Sequence, residues 1–560
     1  MVGLSQDPST LNPAITSMFA EHQVAGQIFN AMMEYECFTI VPVPELAQSW
    51  QASPDGLTYT FNLVRNATWH DGVKFTSADI KFTFEEVLPK YHPRGPGTFG
   101  ANIKSVETPD EYTAVFKLKG SFAPLISMMG LWYAGVIPKH IYEGTDIVKN
   151  PRNMDNPIGT GPFLFKEWVR GSHIRLVRNP NYWMKDRPYL DEVIFRIIPD
   201  DLQRVRALET GDVDYIPMMV PYSEISRLAK KPGLKYVNHA AFGAMYQLQF
   251  NLLNPILSKV KVRHGIAHAI DKKFIVDTVT FGLENIATGP LCSTIGWAYN
   301  PDVPKYEFDK KRAEALFDEA GYPKKEGGTR FSIRIVIPRW TTDDVRAAEV
   351  IRDQLKDVGI DAQLIVLESA VDNEQTYMKH DFDIHIEPRL STGPDPNQIR
   401  YLYHSENIRL KNPTPGMWNI PIYNNSRVDQ LFDQGARETD MTKRAAIYKE
   451  LQRIIVGDLP VLTIKELSNP HIFKENVVGV PAGPYGGARE RLHKVWLMTA
   501  SATTTVGVTT PTTVRVTTPT TTVAAPDTFS QTIVPVVAVI VIIAAVWLIY
   551  KKRERQSSAK

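Results

Sequence analysis

Two pairs of histidines have a spacing that could bind a metal ion. His264 and His268 stand four residues apart in VRHGIAHAIDKKF, and on a helix they would share one face, as in the zinc-binding HExxH pattern. The residues between them are Gly, Ile and Ala, so the glutamate that acts as general base in that pattern is missing. Both histidines also lie away from the apolar face, which favours a solvated polar stripe over a metal site.

His380 and His385 flank Asp381 and Asp383, which makes a second group of possible ligands. The run DFDIH alternates apolar and polar residues, as a half-buried β-strand does. Neighbouring side chains of a strand point to opposite faces, so the alternation favours a strand over a metal site. We predict neither a metal nor a cofactor.

The sequence contains no usable catalytic motif. GxSxG, the phosphate-binding P-loop, CxxC and GxGxxG are all missing from contexts in which they would act. Carboxylates are plentiful, but no pair departs from what a solvated surface carries. Nothing in the sequence argues for catalysis, and we predict that the protein is not an enzyme.

Trp340 stands at a position where ligands bind in other proteins. It lies in PRWTTDD, directly after a predicted strand, and open α/β sheets bind ligands at the carboxyl ends of their strands. Thr341, Thr342 and Asp343 offer hydrogen-bonding groups there. A helix cap beside a packed tryptophan explains the same residues equally well.

The elements around Trp340 give the clearest structural signal. Alternating apolar residues from Phe331 to Ile337 predict one strand, and Ile360–Leu367 predicts another. The helix between them carries five apolar side chains on one stripe: Val345, Ala348, Ile351, Leu355 and Val358. Gly359 can supply a left-handed C-cap. Strand, helix and strand with short links predict a βαβ unit with parallel strands.

Further helices and strands indicate mixed α/β domains without an internal repeat. VRHGIAHAIDKKF predicts one helix with an apolar residue at every fourth position, from Val262 to Phe274. Asp309 is placed to cap the helix KKRAEALFDEA. Runs such as LTYTFNLV and HIRLVRN read as strands between the helices.

Composition sets the broad class. The 560 residues are 43% hydrophobic, as in ordinary globular proteins, and the first 500 leave room for two or three domains. With 63 basic and 61 acidic residues the net charge is +2, which gives no support to a nucleic-acid partner. Cys37 and Cys292 allow at most one disulfide. Asn66 and Asn424 begin N-glycosylation acceptor patterns.

The C-terminal residues predict a stalk, a membrane span and a basic tail. The segment from Ile533 to Tyr550 is uncharged. As a helix it covers ~27 Å, close to the apolar thickness of a bilayer. Four basic residues follow: Lys551, Lys552, Arg553 and Arg555. By the positive-inside rule this end is cytoplasmic and the rest of the chain extracellular.

The residues before the span are rich in Thr, Val, Pro and Ala, which predicts a disordered stalk. An extracellular domain needs an export signal, and VGLSQDPSTLNPA after Met1 is not one. We therefore expect a signal upstream of Met1.

Short segments occur along residues 1–500 in the order of a known family. They are LSQDPSTLNPA, DGLTYTFNLVRNATWHDGVKFTSADIKFTFEEV, PIGTGPFLFKEW with NPNYW, YLDEVIFRIIPD with LETGDVDYI, QFNLLN with VRHGIAHAIDKKFIV, KRAEALFDEAGY, GPDPNQIRYLYHS and YNNSRVDQLFDQGARETD. The chain resembles the extracellular solute-binding proteins of the oligopeptide, dipeptide and nickel class (family 5) of ABC transporters. Its stalk and C-terminal helix resemble the archaeal surface versions.

The resemblance implies a bilobed α/β fold like that of periplasmic binding proteins (class II, cluster C type), with an extra α/β subdomain. The lobes would close over the ligand about a two-segment hinge. The expected boundaries are 1–36, 156–250 and 475–500 for lobe I, 37–155 for the extra subdomain, 251–474 for lobe II, 501–530 for the stalk, 531–550 for the transmembrane helix and 551–560 for the cytoplasmic tail.

The resemblance also implies which residues contact the ligand. The expected set is Ser17, Met18, Phe19, Trp340, Thr342, Asp343, Glu387, Arg389, Thr392, Asp395 and Trp418. Peptide binders of the family place an aspartate at the position of Thr392, where it pairs with the peptide's terminal amine. Here Asp395 or Glu387 would have to replace it, and Arg389 stands near the place of a usual tryptophan.

The implied function is that of the substrate-binding component of an ABC importer, which delivers a small polar solute to permease and ATPase subunits. Oligopeptides and oligosaccharides both remain candidate ligands, since the amine partner is lost. A surface receptor or sensor on the same fold is an alternative. An ecto-hydrolase is disfavoured because the chain lacks a nucleophile–base pair or a metal motif.

Overall fold

A computed structural model describes residues 1–36, 41–391, 393–408, 410, 418–483 and 491–498, with the backbone alone at 240–242 and 389–391. Cys37, Thr392 and the predicted stalk, span and tail lie outside the described residues. Within the described ranges, none of the helices is long and apolar enough to cross a membrane.

The strands, in chain order, are β1 (Val2–Leu4), β2 (Met33–Tyr35), β3 (Pro42–Pro44), β4 (Ala47–Ala52), β5 (Thr58–Leu63), β6 (Ile103–Asp110), β7 (Thr113–Leu118), β8 (Phe163–Val169), β9 (His173–Arg178), β10 (Glu192–Ile197), β11 (Tyr215–Ile216), β12 (Leu234–Phe250), β13 (Asn285–Ile286), β14 (Phe331–Pro338), β15 (Ile360–Leu367), β16 (Ile384–Ser391), β17 (Val461–Lys474), β18 (Val477–Val478) and β19 (Trp496–Leu497).

The α-helices are α1 (Phe19–Ile28), α2 (Ser77–Phe82), α3 (Leu88–Tyr91), α4 (Leu131–Ala134), α5 (Lys139–Tyr142), α6 (Asp201–Thr210), α7 (Tyr222–Leu228), α8 (Val260–Ala269), α9 (Lys272–Val279), α10 (Lys310–Glu319), α11 (Thr342–Asp357), α12 (Ser369–Asp372), α13 (Arg400–Tyr403), α14 (Ser426–Arg437) and α15 (Met441–Asp458).

A large mixed sheet runs through the described part of the chain in the order β15-β14-β16-β12-β17-β11-β1-β10-β9-β8, and β13 pairs with β17. Its middle is formed by the two long antiparallel strands β12 and β17. On one side of this pair, β16 pairs with β12. On the other side, β11 pairs with β17, and β1 pairs with β11. A separate antiparallel sheet, β4-β5-β7-β6, lies within residues 47–118.

The predicted βαβ unit is confirmed. β14 and β15 pair in parallel from Phe331↔Ile360 to Pro338↔Leu367, with α11 between them. Gly359 has φ +89°, the left-handed conformation that favours glycine at a helix end. Four residues of the predicted apolar stripe are buried: Ala348, Ile351, Leu355 and Val358. Val345 is half-buried instead, because it lines a cavity.

The single helix predicted over VRHGIAHAIDKKF is wrong. The chain forms α8 and then α9, and the Asp271 side chain accepts from the Phe274 N–H at 2.9 Å, which starts the second helix. Phe274 is 49% exposed and takes no part in the apolar face. An aspartate that can cap a helix outweighed the fourfold apolar spacing.

Two apolar cores flank the middle of the large sheet. One includes Leu4, Phe61 and Trp69 and joins the N-terminal strands to the four-stranded sheet. The other includes Leu248 and Ile335 and fills one face of the β14-β16-β12 half. The strands β12 and β17 pass from one half of the large sheet to the other. The register of their pairing shifts between Ala240 and Met245.

Buried His92 makes the stability of the fold dependent on pH. Its Nδ1 accepts from the Arg94 N–H, and its Nε2 faces the Trp132 carbonyl oxygen at 3.3 Å. Burial, together with the charge of Arg94, lowers the pKa of His92 to about 3. An unfolded histidine binds a proton below about pH 6.5. The contribution of neutral His92 to the free energy of unfolding is therefore fully present above that pH. It is lost as the pH falls toward the folded-state pKa.

We expect His92 to contribute a loss of about 2 kcal/mol in the free energy of unfolding between pH 7 and pH 5. Urea titrations at both pH values measure it. The H92Q chain should lose that much less than the natural chain between the two pH values, whereas H268Q, at a half-exposed position, should keep the full dependence. If H92Q and the natural chain lost the same free energy of unfolding between pH 7 and pH 5, the prediction would be wrong.

Candidate functional site

A cavity of about 600 Å³ lies between the two halves of the large sheet. On one side it is lined by Met18, Phe19 and the start of α6, and on the other by Trp340 and the start of α11. The sequence predicted Met18, Phe19, Trp340 and Thr342 as ligand contacts, and the structure brings these four together. We call this cavity the cleft.

Two helix N-termini open toward the cleft. Thr341 caps α11, with its Oγ1 accepting from the Asp344 N–H at 3.2 Å. Asp200 caps α6, with its Oδ1 accepting from the Gln203 N–H at 2.7 Å. A helix N-terminus carries a partial positive charge and so favours acceptor groups of a ligand.

The charges around the cleft are of both signs. Arg339 and Arg346 are exposed, and Arg339 pairs with Glu368 at 3.6 Å. Asp200 and Asp201 face the same space. Arg204 and Glu349 also line the cleft. Arg204 is buried, and its guanidinium donates hydrogen bonds to the carbonyl oxygens of Ile198, Pro199 and Met219. A mixed lining of this kind suits a polar ligand that carries both donors and acceptors.

The chain is similar to a known protein family over most of its length. Residues 41–409, well over half of the chain, match the bacterial extracellular solute-binding proteins, family 5 (middle region). The chain belongs to this family. It is 29% identical over 498 residues to the oligopeptide-binding protein AppA of Bacillus subtilis, with 86% of this chain and 89% of that protein aligned.

Solved structures of relatives share the fold of this family 5 protein. The structure of AppA from Bacillus subtilis in complex with a nonapeptide has a TM-score of 0.77 at 27% identity, and it covers 89% of this chain and 98% of AppA. The structure of DppA from Helicobacter pylori in complex with the peptide STSA has a TM-score of 0.78 at 26% identity, covering 89% and 97%. The bilobed α/β fold that the resemblance implied is confirmed.

Two of the predicted contacts of this family 5 protein lie beside the cleft and do not line it. Asp343 is buried, and its Oδ2 accepts from the Tyr222 N–H at 3.0 Å. Burial raises the pKa of Asp343, and the neighbouring Asp344 adds to that effect. Ser17 precedes Met18 and is half-buried. Asp343 thus links the start of α7 to the start of α11 across the two halves.

Glu387, on β16, and Trp418 both contact the buried Tyr377. Glu387 Oε2 accepts from the Tyr377 hydroxyl at 2.9 Å, and the Tyr377 ring packs edge-on against Trp418 with centroids 4.8 Å apart. Burial raises the pKa of Tyr377, and the charge of Glu387 raises it further. His385, two residues before Glu387 on the same strand, faces the Asp372 carboxylate at 3.2 Å. These side chains form a polar cluster inside the protein and are not part of the cleft lining.

The carboxylate of Asp395 is paired within the protein. Its two oxygens accept from Arg444 at 2.7 and 2.8 Å, and both side chains are buried. Oδ1 also accepts from the Asn397 N–H at 2.9 Å. This pair argues against Asp395 as the replacement amine partner, and that role stays a prediction. Arg389 lies on β16 with only its backbone described, and Thr392 lies outside the described residues.

The histidine pairs have ordinary structural partners. His264 Nε2 faces the Gly457 carbonyl oxygen at 2.8 Å, and His268 Nδ1 faces that of Glu307 at 2.7 Å. His380 Nε2 faces the Ile420 carbonyl oxygen at 2.8 Å. Across the described ranges, no three His, Cys, Asp or Glu side chains are grouped so as to hold a metal ion.

A buried charged group at the crossing of β12 and β17 escaped the sequence interpretation. Lys465 Nζ pairs with Glu284 Oε2 at 2.5 Å, and both side chains are at most 1% exposed. Glu284 also accepts from the Tyr222 hydroxyl, and from the Ser468 N–H at 3.3 Å. Lys465 directly after the strand-like run VLTI was the signal that could have drawn attention to it.

Proposed function

We propose that this family 5 protein is the substrate-binding component of an ABC importer and that it takes oligopeptides into the cleft. The observation that carries the proposal is the cleft itself, which places Met18 and Phe19 opposite Trp340 and Thr342. The structures of AppA and DppA named above each contain a bound peptide, and AppA is an oligopeptide-binding protein. Binding without chemistry accounts for every residue placed there, so no catalytic step is proposed.

Closure of the lobes would use the strands β12 and β17. A register shift leaves part of a ladder unpaired and lets the strand bend, which makes the shift near Ala240 a suitable hinge. The lobe boundaries stated above remain part of this proposal. Tyr222 joins Asp343 and Glu284 across the hinge, so it would hold the closed arrangement.

Oligosaccharides are the second candidate ligand. Trp340 lies beside the hydroxyl groups of Thr341 and Thr342, and an aromatic face with neutral hydrogen-bonding groups is a surface on which a sugar ring can stack. A role in sensing is the further alternative. It is separated from import by whether genes for a permease and an ATPase adjoin this one.

We also propose that residues 531–550 anchor the chain in the cell membrane, with residues 501–530 as an extracellular stalk and residues 551–560 in the cytoplasm. The support is the uncharged run with basic residues after it. Exposed Asn66 and Asn424 are the proposed glycosylation sites. Fractionation of cells that express the chain with or without residues 531–560 measures anchoring. Recovery of both forms in the soluble fraction would contradict it.

A thermal-shift screen tests the ligand class. The full chain is heated with di- to hexapeptides and, separately, with oligosaccharides of similar length. A ligand that binds the folded state adds ~2.7 kcal/mol of stability when present at 100 times its dissociation constant. Stabilisation by peptides supports the proposal, and stabilisation by sugars alone replaces it with the second candidate. No response to either class would contradict an importer for these solutes.

The W340A substitution should weaken peptide binding 10- to 100-fold, because a large aromatic side chain that packs on a ligand contributes about 2 kcal/mol or more, and Trp340 lines the cleft. Isothermal titration calorimetry with the best peptide of the screen measures the change. W496A is the matched control, since Trp496 is 41% exposed and lies on β19 outside the cleft. Equal affinities of W340A and W496A would remove Trp340 from the site.

A further inference from the structure

A small cavity of about 10 Å³, the size of one water molecule, lies where the two halves of the large sheet meet. The half that carries α6 and α7 lines it with Asp201 and residues 219–222. The other half lines it with Thr341 and Asp343, and Pro470 of β17 completes the lining. We call it the hinge cavity.

Tyr222 joins the two lobes beside the hinge cavity. Its N–H donates to Asp343 Oδ2 at 3.0 Å, and its hydroxyl donates to Glu284. By the boundaries proposed above, Tyr222 belongs to lobe I and both acceptors belong to lobe II. Rotation of one lobe away from the other would separate these partners, so the two hydrogen bonds belong to the closed arrangement.

The same contact removes the Asp343 carboxylate from water. Asp343 is 6% exposed, and the Tyr222 N–H that it accepts from is a neutral donor. A second carboxylate, that of Asp201, reaches the hinge cavity from lobe I. Closing the lobes thus desolvates one carboxylate and brings another toward it. Both changes disfavour a negative charge on Asp343.

The other charged groups around Asp343 do not offset its burial. They lie on α11, on α6 and at the crossing of β12 and β17, and they are Asp344, Arg346, Arg204, Lys465 and Glu284. Arg346 and Lys465 favour the charged carboxylate, but Arg346 is exposed and Lys465 pairs with Glu284 at 2.5 Å. Arg204 donates to backbone carbonyl oxygens. Burial, together with the charge of Asp344, therefore raises the pKa of Asp343.

We propose that acid favours closure of the lobes, because Asp343 takes up a proton as the closing lobes bury it. The proton comes from the solvent and binds Oδ1, which leaves Oδ2 to accept from the Tyr222 N–H. In the open arrangement the carboxylate regains water and releases the proton. The closed arrangement thus binds more protons than the open one, so it gains stability relative to the open one as the pH falls. The proposal rests on the lobe closure of the proposed function, and on no particular ligand.

Double electron–electron resonance on the full chain measures closure without any peptide. Spin labels are attached through D191C in lobe I and K379C in lobe II, at two exposed positions, in a chain that also carries C37S. Cys292 is buried and stays unlabelled. The ratio of closed to open molecules should rise about 2-fold or more between pH 7.5 and pH 5.0.

Two substitutions remove a carboxylate from the hinge cavity. D343N keeps an acceptor for the Tyr222 N–H and cannot ionise. Its ratio at pH 7.5 should be at least that of the natural chain at pH 5.0, and it should not vary with pH. D201N removes the second carboxylate at a half-exposed position, so it keeps the test valid if D343N folds poorly. It should raise the ratio at pH 7.5 and reduce the dependence of the ratio on pH.

D357N is the matched control, since it makes the same substitution at the last residue of α11, where Asp357 pairs with Lys310 on the surface. It should behave as the natural chain does. An equal ratio at both pH values, a lower ratio at pH 5.0 or an unchanged pH dependence in D343N would overturn the proposal. If D343N does not fold, a D201N chain that behaves like D357N would overturn it. A peptide screen without response would contradict the proposed ligand class and leave these results standing, because no peptide is present in them.

Discussion

Replacing Lys465 by methionine should lower the free energy of unfolding by about 3–5 kcal/mol, because it leaves the charge of Glu284 buried without a partner. The Glu284 side chain is fully buried and that of Lys465 is 1% exposed. The remaining donors to Glu284, from Tyr222 and Ser468, are neutral. Urea unfolding of the K465M chain measures the loss.

Removing both charges should restore most of that stability. In the double variant K465M/E284L no charge remains buried, and replacing a buried ion pair by apolar residues of similar size is often neutral or stabilising. K310M is the matched control, since Lys310 pairs with Asp357 at 2.7 Å on the surface. It should change the stability by about 0–1 kcal/mol. A double variant as unstable as K465M would show that the ion pair itself, and not an uncompensated charge, determines the effect.

Replacing Asp395 by asparagine should also lower the free energy of unfolding by about 3–5 kcal/mol while leaving the affinity for peptide unchanged. The reason is the bidentate pair with Arg444, whose side chain is 4% exposed and would be left charged and uncompensated. Urea unfolding gives the stability, and calorimetry on the folded chain gives the affinity.

The two measurements separate two roles of Asp395. D381N is the control, because Asp381 pairs with Arg334 at 2.6 Å on the surface. It should leave the stability nearly unchanged. A 10-fold loss of peptide affinity in D395N, with unaltered stability, would restore Asp395 as the partner of a ligand amine. That result would mean that the pair with Arg444 opens when the ligand binds.

Local sequence patterns predicted the elements that build one side of the cleft. The spacing of apolar residues over 331–367 predicted two strands and a helix, and their parallel pairing is confirmed. The same patterns placed Trp340 and Thr342 at the cleft. Such patterns succeed because the side chains that bury an element repeat with the period of that element. They failed at Asp271, where a capping side chain broke the apolar period.

The sequence by itself thus determined the family, the βαβ unit and an uncharged C-terminal run that predicts a membrane span. Only the tertiary structure decided the partners of the charged residues. Asp395 meets Arg444 across 49 residues of chain, and Glu284 meets Lys465 across 181. No local period encodes such pairs, because they depend on how helices and distant strands pack together. Desolvation then makes those partners decisive, since a buried carboxylate without a cation destabilises the fold.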